Sequence, residues 1–340
     1  MFRRSDRWVV RLAVLTLLIV LCWPIHWVSA TKEPSADPVL MLNNTNSITA
    51  FLNADSQPGT QESITIPLRR IGKLFVVDAT VDDESGNFIF DTGSANLVLN
   101  KTYFRKYMTI DGEAAGGVTG STGAIGHVKV KRLKIADLGF ENLMVDVTNL
   151  GHIENRRGIK ILGLFGFSLL KNLEVVIDIN NNVMHLYRLD RNGYRIQSSK
   201  PVKYDVIQNI QEFHNIIIVK AKVGEKTLDF CLDTGAESNV LNAFSPKKVL
   251  STVSIQRRSG LVGVGSGQSE VLYGTMNKFT LGDRSIPGMQ AIITNLEKMS
   301  EAYGVTLDGM LGYDFFSQGE ICINLARNEM RLRFTRKEAP

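Results

Sequence analysis

The sequence predicts an all-β protein built as two tandem lobes related by a pseudo-two-fold axis, and three observations carry that expectation. From about Ile66 onward the chain is a series of short β-type runs separated by glycines and turn residues. The tripeptide Asp-Thr-Gly occurs twice, at 91–93 and 233–235, each time after an apolar run and before a second run ending Val-Leu-Asn. Finally, the chain matches itself at a nearly constant offset, the signature of an internal duplication.

That self-match fixes the domain organisation. At an offset of 146, residues 134–150 fall on 280–296, Gly163 on Gly309, Gly166 on Gly312, Glu174 on Glu320 and Ile177 on Ile323. Around the Asp-Thr-Gly copies the offset is 142, so a four-residue difference lies in the loops between. Lobe one is expected at 65–190, a linker at 191–212 and lobe two at 213–335. Within each lobe the predicted order is strand, Asp-Thr-Gly, strand, a Gly-rich segment (Gly116–Gly126; Gly260–Gly274) and two strands. A Gly-apolar-apolar-Gly element (163–166; 309–312), a short helix and a closing hairpin follow.

The N-terminus reads as a targeting segment. Arg3, Arg4, Arg7 and Arg11 precede the apolar run Leu12–Trp23, and Val28-Ser-Ala30 offers a small-residue cleavage site. Residues 1–30 are therefore a signal peptide cleaved after Ala30, or an uncleaved anchor giving membrane association through the N-terminus. Both readings place the folded part outside the cytoplasm, whether periplasmic, secreted or membrane-anchored. Residues 31–64, polar and broken by Pro, Asn and Gly, read as a flexible lead.

Composition narrows the function classes. The 340 residues are 44% hydrophobic and 21% charged, enough for a substantial core. The net charge of +5 falls to +2 without the four arginines and one aspartate of the first thirty residues. The remaining charge is scattered, which argues against a nucleic-acid partner. Cys231 and Cys322 are the pair left after the leader, either bridged or buried as free thiols. His127, His152, His185 and His214 lack metal-ligand spacing, so neither metal nor cofactor is expected. Gly263-Val-Gly-Ser-Gly267 superficially resembles a dinucleotide loop, but β-type sequence follows it where that fingerprint requires a helix.

The repeated carboxylate carries the chemistry. Two carboxylates a few ångströms apart cannot both ionise cheaply, so the pair holds one proton between them. Such a pair can activate a water while protonating a carbonyl or leaving group. Threonine beside each Asp offers a hydroxyl to brace one loop against the other, and glycine lets the loops approach closely.

In these residues the chain resembles the retropepsin-like (retroviral-type) aspartic peptidases, in a form with both lobes in one chain. Asp233-Thr-Gly-Ala-Glu-Ser-Asn-Val-Leu241 is similar to the retroviral active-site segment, and Asp91-Thr-Gly-Ser94 to the pepsin-like form. Leu-Phe-Gly166 and Met-Leu-Gly312 match the family's element before its C-terminal helix. The resemblance implies an aspartic-type endopeptidase with Asp91 and Asp233 as catalytic dyad. It further implies that Thr92, Gly93, Thr234 and Gly235 support the active-site loops, that the Gly-rich segments act as flaps, and that the partner is a peptide or protein substrate. One chain carrying both halves implies a monomer with intramolecular lobe pairing. There are two departures: the acidic residue after the first motif is missing, with Ala95 in its place, and the arginine that follows the second motif in retroviral enzymes is replaced by Phe167 and Tyr313, which leaves Glu237 without its expected partner. That gap supports an alternative, a catalytically inactive peptide-binding or scaffold protein of the same fold. Tyr273, near the second Gly-rich segment, is a candidate for either substrate contact or strand packing.

Overall fold

The computed structural model describes residues 63–107, 114–117, 120–124, 126–196, 202–262 and 268–335. The leader expected at 1–30 and nearly all of the lead expected at 31–64 lie outside the described residues. Lobe one begins with β1 (Ser63–Pro67), β2 (Arg69–Ile71), β3 (Leu74–Val81) and β4 (Glu84–Asp91). Next come β5 (Val98–Asn100), the hairpin of β6 (Ala114–Gly117) and β7 (Gly120–Ala124), β8 (Gly126–Ile135) and β9 (Leu138–Thr148). Helix α1 (Gly151–Arg157), β10 (Ile161–Gly166), a 3-10 turn at Phe167–Leu170, β11 (Leu173–Asp178) and β12 (Val183–Arg188) complete it.

Lobe two repeats the plan with β13 (Val206–Phe213), β14 (Ile216–Val223), β15 (Lys226–Leu232) and β16 (Asn239–Asn242). After helix α2 (Lys247–Leu250) come the long hairpin of β17 (Val253–Val262) and β18 (Gln268–Met276), then β19 (Phe279–Leu281), β20 (Arg284–Ser285) and β21 (Met289–Thr294). Helix α3 (Glu297–Tyr303), β22 (Gly309–Leu311), helix α4 (Tyr313–Phe316), β23 (Gly319–Asn324) and β24 (Glu329–Phe334) close the lobe. The fold is thus all-β with two repeated lobes, each carrying a short helical turn directly after its apolar-apolar-Gly element.

Burial follows from position in the sheets. β12 alternates buried Met184, Leu186 and Arg188 with half-buried Val183, His185 and Tyr187, as a strand with one face on the core does. β10, β11, β22 and β23 are buried throughout, because they lie between strands and under side chains on both faces. In lobe one the strand order β2-β3-β4-β10-β5-β9-β8 curls back on itself through pairing of β3 with β8. In lobe two, β14 and β19 make the corresponding contact. Phe75, Phe88, Phe90, Phe165, Phe230, Phe279 and Phe315 fill the cores beneath these sheets.

A shared sheet joins the lobes in the order β1-β12-β11-β23-β24-β13. At its centre β11 and β23 pair antiparallel, with Val175 opposite Ile323, Val176 opposite Cys322 and Ile177 opposite Ile321. Val176 and Cys322 are themselves related by the 146-residue offset, so the pseudo-two-fold axis passes between them. Cys231 and Cys322 are both buried free thiols.

Candidate active site

Each Asp-Thr-Gly sits where three strands are threaded together. β10 runs parallel to β4, with Gly166 level with Asp91, and antiparallel to β5 on its other side. In lobe two β22 is inserted between β15 and β16 in the same way. The strands approach so closely that side chains are excluded. A Cβ on Gly163 would lie 2.0 Å from the Val98 carbonyl oxygen, and one on Gly309 2.5 Å from that of Val240. On Gly166 it would lie 2.4 Å from Asn96 O, and on Gly312 2.5 Å from Ala236 O. The repeated glycines are therefore a packing requirement of this crossing.

The crossing aims both aspartates at the axis. Thr92 Oγ1 donates to the Leu232 carbonyl at 2.8 Å and accepts from the Thr234 amide at 3.0 Å. Thr234 Oγ1 reciprocates, donating to Phe90 O at 2.8 Å and accepting from Thr92 N at 3.0 Å. All four bonds are buried and cross between lobes, so they fix the two loops to one another. Asp91 and Asp233 are fully buried beside this brace. Asp91 Oδ1 accepts from the amides of Gly93 (3.0 Å) and Ser94 (3.1 Å), and Asp233 Oδ1 from that of Gly235 (2.8 Å). A Cβ on Gly235 would fall 2.6 Å from Asp91 Cγ, so only glycine leaves room for the facing carboxyl. The structure thus brings Asp91, Thr92, Gly93, Asp233, Thr234 and Gly235 together at one point.

The electrostatics follow from that closeness. Burial first, then the charge of Asp91 and a hydrogen bond with its carboxyl, push Asp233 well above the usual carboxylate range. The amides of Gly235 and Ala236 oppose the shift without cancelling it. Asp233 Oδ2 is buried and meets no donor among the described residues. Two facing carboxylates are both acceptors, and their contact becomes a hydrogen bond only with a proton between them. The pair therefore favours a singly protonated state.

Two residues that the sequence analysis did not select reach into the site from the opposite lobe. Arg157, the last residue of α1, forms an ion pair and hydrogen bond through Nη2 with Glu237 Oε1. This corrects the expectation that Glu237 lacks a guanidinium: lobe one supplies it across the interface. Tyr303, the last residue of α3, donates its hydroxyl to the Gly93 carbonyl at 2.8 Å. Positions 157 and 303 are related by the 146-residue offset, and each precedes a glycine in the left-handed region, Gly158 (φ +66°) and Gly304 (φ +67°). That shared Gly after the same offset was the signal available in the sequence.

The halves differ in further ways. Ser94 Oγ turns to the Asn96 carbonyl at 2.9 Å, a bond Ala236 cannot make at the equivalent place. Both Gly-rich segments include antiparallel hairpins, β6–β7 and β17–β18. β6 lies against α3 of the other lobe. Residues 263–267 lie outside the described residues, and β18, not a helix, follows them. Tyr273 on β18 is half-buried, with the Arg257 guanidinium 4.1 Å from its ring centroid.

Comparison with known proteins follows the same division of the chain. The family profile described as aspartyl protease matches twice, over residues 77–169 and 219–315, which together span more than half the sequence. Among solved structures, an aspartic proteinase from Irpex lacteus is similar at 14% identity, covering 80% of this chain and 97% of its own, with a TM-score of 0.48. Basic 7S globulin from soybean is similar at 9% identity over 80% of this chain and 94% of its own, with a TM-score of 0.43. No curated protein matches the chain by sequence.

Proposed function

The chain belongs to the aspartyl protease family, and on that premise we propose that it is an exported aspartic endopeptidase that hydrolyses peptide bonds with a water activated between Asp91 and Asp233. The observation that carries the reading is the buried carboxyl pair on the axis, held by the reciprocal Thr92–Thr234 brace. With one proton on the pair, the ionised member takes a proton from water as its oxygen bonds to the scissile carbonyl carbon. The protonated member gives its proton to the carbonyl oxygen. Collapse of the resulting gem-diol breaks the C–N bond, and a proton passes to the leaving amine. The chemistry uses each carboxyl as both acid and base, which a pair sharing one proton can do at a pH where a lone carboxyl is only a base.

Export rests on the basic-apolar-small pattern of residues 1–30. One chain supplying both aspartates supports a monomeric enzyme, and the cross-lobe pair of Arg157 with Glu237 supplies the partner whose absence had favoured a non-catalytic alternative. The substrate is a peptide or protein laid between the two hairpins. Asp91→Asn and Asp233→Asn are the test. Each should lower cleavage of a peptide library by about 10²–10⁴-fold, while the thermal midpoint stays at or above that of the wild type. Undiminished turnover in either variant would refute the proposal.

A further inference from the structure

The two active-site loops are braced alike but are not supported alike from behind. In lobe one a single peptide unit, Gly93–Ser94, is hydrogen-bonded at both ends. Its carbonyl accepts the Tyr303 hydroxyl at 2.8 Å, and its N–H is shared between Asp91 Oδ1 and the Asp91 carbonyl, each at 3.1 Å. A hydrogen bond at the carbonyl end of an amide polarises the N–H end and makes it the stronger donor. In lobe two the corresponding unit is Gly235–Ala236, beside Asp233. The residue related to Tyr303 is Arg157, and its guanidinium goes to the Glu237 carboxylate. Among the described residues no side chain donates to the Gly235 carbonyl.

We propose that Tyr303 is a positioning residue that breaks the symmetry of the dyad, acting through the Gly93–Ser94 amide to place the negative charge on Asp91 and the shared proton on Asp233. The inference rests on the catalytic reading of the pair given above. The surroundings of Tyr303 suit the role. It is buried within the hydrophobic cluster that includes Cys231, Ala236, Leu296 and Met310, so its hydroxyl has no solvent to turn to. The ionisable groups facing it are the Cys231 thiol, Asp233 and Asp91, and β6, packed on the same helix, is Ala-Ala-Gly-Gly. His214 Nδ1 lies 3.3 Å from its backbone carbonyl, on the main-chain side and away from the phenol's bond. Burial first, and then those neighbouring groups, push the Tyr303 phenol well above its ordinary range, so it remains a donor throughout the pH range of activity.

The consequence is a distinctive pH signature. Losing the first proton from the doubly protonated dyad creates the charge that Tyr303 stabilises. Losing the second leaves that charge where it was. Tyr303→Phe should therefore raise the acid limb of the kcat/KM profile by about half a pH unit and leave the alkaline limb in place. Replacing Tyr303 by 3,5-difluorotyrosine, a stronger donor of the same shape, should move the acid limb the other way, and it carries the test if the phenylalanine variant folds poorly. Fluorogenic peptide cleavage from pH 2 to pH 9 reads both limbs. A lower rate with both limbs unmoved, or equal movement of both, overturns the inference and assigns Tyr303 to packing alone. If the wild type cleaves nothing, or Asp91→Asn cleaves normally, the catalytic reading itself falls and this inference with it. Those results are distinct from an active enzyme whose acid limb ignores Tyr303.

Discussion

Thr234→Val tests the brace that makes the site, and its cost can be worked from the bonds it removes. Valine matches threonine in shape, so no cavity opens. What changes is that Thr92 N, 3.0 Å from Thr234 Oγ1, loses its acceptor, and Phe90 O, 2.8 Å away, loses its donor. Both groups are buried, and each orphaned group costs about 1–3 kcal/mol. The buried hydroxyl that departs also relinquishes its own desolvation, which returns part of this. A net loss of about 2–4 kcal/mol follows, a large share of the ~5–15 kcal/mol that holds a typical domain folded. Urea unfolding followed by circular dichroism should show a lower midpoint at unchanged slope, and Thr234→Ser, which keeps the hydroxyl, should recover most of it. A valine variant within about 0.5 kcal/mol of wild type, or a serine variant as damaged as the valine one, would refute the reasoning.

Two further outcomes follow from the packing and the charges. Gly312→Ala sets a Cβ against the Ala236 and Ser238 carbonyl oxygens at 2.5 and 2.7 Å and should leave little soluble protein, whereas Gly139→Ala meets nothing within 4 Å and should unfold at the wild-type temperature. Glu174→Gln should cost about 1–3 kcal/mol, since it removes the carboxylate that Arg195 and Arg331 share at the joint sheet while Arg331 keeps its ion pair with Glu329. Desolvation is the largest single influence on Glu174 and pushes its carboxyl up, but Asn324, Arg195 and Arg331 together outweigh it and hold the carboxyl below its ordinary range. Its stabilisation is therefore present above the usual carboxylate pKa and lost as pH falls through the lowered one, so wild type and Glu174→Gln should converge in acid denaturation.

The parts of the fold that could be read from the sequence are those where packing leaves the sequence no freedom. Gly163, Gly166, Gly309 and Gly312 sit where a Cβ would collide with backbone, so the duplication is visible at those positions in both copies. The closing hairpins were legible for a similar reason, since their first strands β11 and β23 are buried on both faces and keep matching apolar residues, but that these two strands pair across the lobes was not read. The helices α1 and α3 were not read. At seven residues each they are too short to show a helical period, and they bury only Ile153 in one case and Met299 and Tyr303 in the other.

The site was legible in its aspartates, threonines and glycines and illegible in what crosses from the other lobe. A search for the partner of Glu237 within its own lobe fails, because Arg157 lies 80 residues earlier and only the fold brings the two together. The same geometry explains why the crossing residues differ. By pseudo-symmetry, what Arg157 is to Glu237, Tyr303 is to Ala95, and Ala95 has no charge to neutralise. A guanidinium at position 303 would be desolvated with no glutamate opposite it and only the dyad's own carboxyls to draw on, whereas a phenol needs one acceptor and finds it at the Gly93 carbonyl. In a dimer of identical chains one residue must serve at both places. Here lobe one supplies Arg157 to the half-buried Glu237, while lobe two supplies Tyr303 to the Gly93 carbonyl, so replacing Arg157 removes the ion-pair partner of Glu237 and replacing Tyr303 removes the donor to a buried carbonyl.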